Sequence, residues 1–351
     1  MKNALLLTGA AARISQEVAL VDKLIELKNL ELSSDKTMLA GFSSGALNIG
    51  AINACFRDND PLSWDKYFKE EVLFKIKTKD VFVKNRFIPV DTSPLRNLLN
   101  NFLGQGNLKK IDDCTFDSFI LAFSVWRLTT VWASNIYNRH SGINLTNLLM
   151  ATSAIPLIFP DQSIEPTSKK ARRFIRGRFV DGGTGGSFRR FEKHLKKYVR
   201  QNGEFENLYI VSPMREVSTE DFEELDKIIP SSQMFKLSSK DLGIMKVFLD
   251  MISQNGFDTF VKRFYKWTNR NKIASNIFIC IPGMNDNYPL LNFDRQEKQY
   301  QSVCQWVDEN PDKLAIPIAE YAKRFDEKPL LKISDKIRRK MRHRLRSVFN
   351  I

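Results

Sequence analysis

Gly41-Phe42-Ser43-Ser44-Gly45 fits the pattern G-x-S-x-G, in which a serine on a tight strand-to-helix turn becomes a nucleophile. The backbone at such a serine is strained. Glycines two residues to either side, Gly41 and Gly45, leave room for that crowding. The serine then stands at a helix N-terminus, whose free N–H groups favour developing negative charge. Five residues of Gly and Ser arise easily by chance, so the flanking elements decide. Thr37–Gly41 reads as a short apolar strand and Ala46–Ala54 as a small-residue helix, the setting that the chemistry needs.

A serine hydroxyl needs a base, and a Ser-His-Asp triad needs a histidine. The chain has three: His140, His194 and His343. His194 lies in the basic run Lys193–Lys197 and His343 in a basic C-terminal stretch, so both read as solvated. His140, in Asn138-Arg139-His140, reads as a loop residue and is the least poor triad candidate. Ser43 also comes early for an α/β-hydrolase, which lays down several strands before its elbow.

The elements that must position these groups begin with a buried strand over 4–8 and a helix over 14–29, where Ile14, Val18, Val21, Leu24 and Ile25 fall at helical spacing. The second strand, the sharp turn and a second helix follow. Such a βαβα opening points to a largely parallel sheet covered by helices. Further strands are predicted at 119–125, 129–133, 178–180, 208–211 and 276–281. Helices are predicted at 64–72, 93–103, 145–152, 188–200, 218–228, 239–253, 256–268 and 293–308. Strands recur to residue 281 without a Pro/Gly/Ser-rich linker, so residues 1–330 read as one domain and 331–351 as a separate tail. Lys2 followed by Ala4–Ala12 looks like the start of a signal peptide, but Thr8-Gly9 interrupts the apolar run and a strand is the better reading.

With 351 residues, 43% apolar and 27% charged, the chain is not disordered, collagen-like or membrane-spanning. No apolar run approaches the length of a spanning helix. Cys55, Cys114, Cys280 and Cys304 are far apart, which fits ordinary thiols in a reducing, cytoplasmic compartment rather than a zinc site or a disulfide framework. The net charge of +14 is unevenly spread. Residues 169–200 carry 12 Lys/Arg and two acids, and residues 331–351 carry 8 Lys/Arg and one acid. In that tail Ile333, Ile337, Met341 and Leu345 form one apolar stripe among cations, the pattern of a basic amphipathic helix on an anionic membrane. Nucleic acid is the weaker partner, since no RNA- or DNA-binding motif accompanies the charge. Two apolar stripes, Leu242–Ile252 and Phe257–Phe264, read as core packing before lipid contact.

Four segments taken in order resemble the patatin-like phospholipase family. Gly9-Ala10-Ala11-Ala12-Arg13 stands where the family has a Gly-rich loop ending in a cation, and the elbow at Ser43 follows. Ala151-Thr152-Ser153-Ala154-Ile155-Pro156-Leu157-Ile158-Phe159-Pro160 is similar to its Ala-Ser-x-Ala-x-Pro-x-x-Phe-Pro segment. Phe179-Val180-Asp181-Gly182-Gly183 is similar to its Asp-Gly-Gly segment. Val90-Asp91-Thr92-Ser93-Pro94-Leu95 is a lesser similarity. The match spans 4–186, and nothing is recognised beyond about 215.

The resemblance implies a three-layer α/β/α fold with a mainly parallel central sheet. It implies a dyad in which Ser43 is the nucleophile and Asp181 the base, with Gly182 and Gly183 letting the backbone turn. It implies an oxyanion hole from the amides of Gly9, Ala10 and Ala11, and a loop or lipid-phosphate contact by Arg13. The sequence departs from the family in placing Ala10, Ala11 and Ile14 where glycines are usual, and Thr184-Gly185-Gly186 after the Asp-Gly-Gly segment. The implied function is a lipid acyl hydrolase that acts on membrane phospholipids through an acyl-enzyme, with no cofactor and no metal, associated peripherally with an anionic membrane. It names no protein or small-molecule activator. The alternatives are an acyltransferase sharing the dyad, and a catalytically impaired module that binds membrane or nucleic acid.

Overall fold

A computed structural model describes residues 3–84, 90–127, 129–156, 158–164, 175, 177–184, 188–213, 254–284 and 288–324. The helices expected at 218–228 and 239–253 and the basic tail 331–351 lie outside them. Apart from a small hairpin of Val83–Lys84 with Val90–Asp91, the strands are β1 (Asn3–Leu7), β2 (Thr37–Gly41), β3 (Asp117–Ser124), β4 (Thr129–Ser134), β5 (Gln162–Ser163), β6 (Arg178–Asp181), β7 (Phe205–Val211), β8 (Ala274–Cys280) and β9 (Ile316–Pro317). They form one sheet in the order β9-β8-β7-β1-β2-β3-β6-β5, with β4 as a further partner of β3. The five central strands from β8 to β3 are parallel, and the pairs at either edge are antiparallel.

β1 is buried along its whole length. It is paired on both edges, by β2 and β7, and side chains on both of its faces are buried, which explains why Ala4-Leu5-Leu6-Leu7 is continuously apolar rather than alternating. The flanking helices are α1 (Ile14–Lys28), α2 (Ser44–Cys55), α3 (Ser93–Gln105), α4 (Leu145–Thr152), α5 (Phe188–Asn202), α6 (Gln254–Thr268), α7 (Gln296–Glu309) and α8 (Ile318–Lys323). The result is a three-layer α/β/α arrangement. α1 stops at Asn29, whose left-handed backbone (φ 52°) returns its N–H to Leu24 O, a common way to satisfy a last-turn carbonyl. α6 buries Phe257, Phe260, Val261 and Phe264, so the second apolar stripe is core. α5 buries Phe191, Leu195, Tyr198 and Val199 and leaves Lys193, Lys197 and Arg200 exposed.

The helix expected at 64–72 takes a wider turn. Trp64–Leu73 is π-helical, with Phe68 N–H bonded to Ser63 O and Phe74 N–H to Lys69 O. Its two buried side chains, Phe68 and Leu73, are five residues apart, and the i→i+5 repeat brings them onto one side.

Register sets up the site. Gly41 at the end of β2 pairs with Ile120, but β3 runs on to Ser124. β6 joins that overhang in the antiparallel sense, and Asp181 pairs with Ala122. At about 3.3 Å of rise per residue, Asp181 lies only one side-chain repeat beyond the strand end that carries the elbow.

Candidate active site

Ser43 is buried, with φ 54° and ψ −141°, immediately before α2. A non-glycine residue holds such a backbone only where its surroundings over-determine it. Three contacts do so. A Cβ on Gly45 would stand 2.4 Å from Leu7 O, and one on Gly41 would stand 2.6 Å from the same atom. The glycines of the motif therefore let the turn press against β1. The Ser43 N–H donates to Thr152 Oγ1 at 3.0 Å, and the Thr152 hydroxyl donates onward to Leu121 O on β3.

Asp181 is buried beside Ser43, whose side chain stabilises the charged carboxylate, and Asp181 Oδ1 accepts a hydrogen bond from the Gly183 N–H. That bond spans 2.7 Å. Burial pushes the carboxyl up to about 7, against the lowering effect of those two partners. The backbone on either side is held by the Ala151–Pro160 segment: Asp181 N–H donates to Ala154 O at 2.8 Å and Gly182 N–H to Thr152 O at 3.2 Å. A Cβ at Gly182 would lie 2.3 Å from Leu121 O, so only glycine lets β6 turn here against β3. Thr152 thus ties the nucleophile's strand-end, β3 and the Asp181 turn together.

Ser43 opens on a narrow cleft whose wall includes Ile14, Ile76, Val81, Leu95, Phe159 and Phe293. These side chains are hydrophobic, as a pocket for an acyl chain requires.

Gly9, Ala10 and Ala11 lie against the elbow. A Cβ on Gly9 (φ 65°) would meet Gly45 N at 2.5 Å and Ser44 N at 2.8 Å. Two of the three expected donors are already engaged. Gly9 N–H donates to Glu17 Oε1 at 3.0 Å and Ala10 N–H to Ser44 Oγ at 2.9 Å. Ala11 has the positive φ, 49°, that a glycine would adopt freely.

Arg13 does not project toward a lipid phosphate. Its side chain is buried, and Nε donates to Tyr288 O at 2.9 Å. Gln296 and Gln299 of α7 hold the same loop by donating to Ala12 O at 2.9 and 3.1 Å. The cation packs the loop against the C-terminal part of the chain.

The two described histidines, His140 and His194, make other contacts. His140 is buried, its Nδ1 accepts from Ser134 N–H at 3.1 Å, and burial, followed by the Arg139 charge, lowers it to about 4. His194 is not a solvated residue: its ring packs about 6 Å from those of Phe119, Trp132 and Tyr137. His343 lies outside the described residues.

One buried acid escaped the motif reading. Glu17 on α1 is completely buried, and its other oxygen accepts from Asn48 Nδ2 at 2.7 Å. Desolvation pushes it up to about 7, against hydrogen bonds from Gly9, Asn48 and Thr8 that lower it. A signal was present: Glu17 falls on the apolar stripe of α1, between Ile14 and Val21.

The model of the family described as patatin-like phospholipase matches residues 5–188, just over half the chain and the stretch that holds the elbow, Thr152 and Asp181. The chain belongs to the patatin-like phospholipase family. Family members are in general hydrolases of lipid esters. No curated protein matches the chain. Among solved structures, VipD from Legionella pneumophila is similar over 88% of this chain and 67% of that one, at 10% identity and a TM-score of 0.31, a likeness too low to argue from.

Proposed function

We propose that this patatin-like protein is a lipid acyl hydrolase in which Ser43 attacks the ester carbonyl while Asp181 takes its proton. The observation that carries the reading is the placement of the strained, buried Ser43 beside the buried Asp181 carboxylate, whose charged form the Ser43 side chain stabilises. A carboxylate with its ordinary pKa near 4 is a poor base for an alcohol. Raised to about 7 by burial, it is better matched to proton transfer near neutral pH. The acyl chain would lie in the hydrophobic cleft, and burying it contributes about 0.8 kcal/mol per CH₂. Water then releases the fatty acid, with Asp181 again as base. The loop that begins at Gly9 supplies backbone N–H stabilisation of the oxyanion.

The exposed Lys193, Lys197 and Arg200 of α5, together with the basic residues 331–351, support docking on an anionic membrane in the cytoplasm. No helix among the described residues is long and apolar enough to cross one. The test is mass spectrometry of products from phospholipid vesicles incubated with wild type and Ser43→Ala. Free fatty acid and lysolipid from the wild type alone support the reading. Their absence from folded wild type overturns it.

A further inference from the structure

The loop after β1 presents fewer amides to Ser43 than its spacing implies. Glu17 takes the Gly9 N–H and Ser44 takes the Ala10 N–H. Arg13 N–H closes on Ala10 O, and Ala12 N–H is held by Leu290 O at 2.9 Å. An N–H has a single proton to give, so an amide committed to a carboxylate or a hydroxyl offers little to an oxyanion. Ala11 remains, on the wall of the cleft beside Ser43 and in a backbone conformation unfavourable for alanine.

We infer that the Ala11 amide is the loop's oxyanion donor, and that Glu17 and Ser44 are positioning residues that fix it by occupying the two amides before it. This assignment rests on the Ser43–Asp181 reading above. Glu17 grips the loop through Gly9 and the elbow helix through Asn48, and so couples α1, α2 and the loop. Ser44 grips the loop from the nucleophile's own helix. Together they hold Ala11 at a φ that it would otherwise leave, which is the preorganisation an oxyanion hole requires.

Replacing single backbone amides by esters, through incorporation of α-hydroxy acids, deletes one N–H and keeps the side chain. In the full chain, with p-nitrophenyl butyrate as the soluble substrate, an ester at residue 11 lowers kcat on the order of 10²- to 10³-fold with KM nearly unchanged. Esters at 9 or 10 lower it less than about tenfold. Glu17→Leu lowers kcat roughly tenfold, and Glu17→Gln recovers most of that. The glutamine can still accept from Gly9, and Asn48 Oδ1, which has no hydrogen-bond partner, can turn to accept from its NH₂. Melting curves identify the folded variants. If Glu17→Leu does not fold, the ester series decides alone. Wild-type kcat in the residue-11 ester, or an equal loss in the residue-10 ester, overturns the assignment. Failure of a fluorophosphonate probe to label Ser43 in the folded wild type overturns the hydrolase reading instead.

Discussion

Asp181 and Glu17 are both buried carboxylates beside the elbow, and desolvation pushes both up to about 7. Their partners differ. Asp181 faces the Ser43 hydroxyl and the Gly183 amide. Glu17 faces the Gly9 amide and the Asn48 side-chain amide. A hydroxyl proton can be transferred when the oxygen becomes a nucleophile, whereas an amide proton stays where it is. The same electrostatic cost therefore supports a proton acceptor on one side and a loop anchor on the other. A perturbed carboxyl marks a functional region, and its hydrogen-bond partner decides the job.

The comparison breaks most visibly in catalysis. Asp181→Asn keeps the shape but removes the base, and kcat should fall on the order of 10³- to 10⁴-fold. Loss of the anchor at Glu17 costs far less, because the nucleophile and base remain. If both substitutions cost the same in steady-state kinetics, the division of labour is wrong.

Stability against pH comes next. Each carboxyl has a folded-state value above its ordinary one, so the folded chain binds the proton more tightly than the unfolded chain. That contribution is whole below the ordinary carboxylate range and is lost as pH rises toward about 7. Asp181→Asn and Glu17→Gln should therefore gain on wild type between about pH 4 and pH 8, by on the order of 3 kcal/mol each at the upper end. Chemical denaturation at several pH values checks this, and a gain at low pH instead would reverse the sign.

A smaller effect is expected at Thr152, the hydroxyl that joins the Ser43 amide to Leu121 O. Thr152→Val leaves both groups buried without that partner and should cost about 2 kcal/mol of stability, with kcat lowered as the elbow relaxes. The smallest change is on the Glu17 side. Ala11→Gly removes the strain of a positive φ at some cost in chain entropy, for a net gain of about 0.5 kcal/mol. Thermal melts resolve both.

What the sequence reveals of this site follows from how local each constraint is. Gly41, Gly45 and Gly182 are legible because a Cβ at any of them meets backbone, and the need for glycine is written into a short motif. Ser43 and Asp181 are read from those glycines. The parallel central sheet is legible because β1 and β2 are short apolar runs separated by a helical repeat. The Glu17–Gly9, Ser44–Ala10 and Thr152–Ser43 bonds carry no periodicity, since each depends on helix or strand register across the fold. The clamp of Arg13 by Tyr288, and of Ala12 by Gln296 and Gln299, joins residues more than 270 apart. No spacing rule reaches that far, and so Arg13 read equally as a loop contact, which it is, or as a phosphate contact. The wide turn of Trp64–Leu73, with Phe68 and Leu73 buried five residues apart, likewise lies outside the ordinary helical spacing that predicts a helix there.

The central claim is that Asp181, and not a histidine, takes the proton from Ser43. Its most direct test is the pH dependence of fluorophosphonate labelling at Ser43 in wild type, Asp181→Asn and Glu17→Gln. The account predicts a wild-type rate that rises through about pH 7 as the Asp181 carboxyl ionises. Glu17→Gln should keep that rise, and Asp181→Asn should lose it along with most of the rate. Labelling of Asp181→Asn at the wild-type rate, with the rise intact, would contradict it.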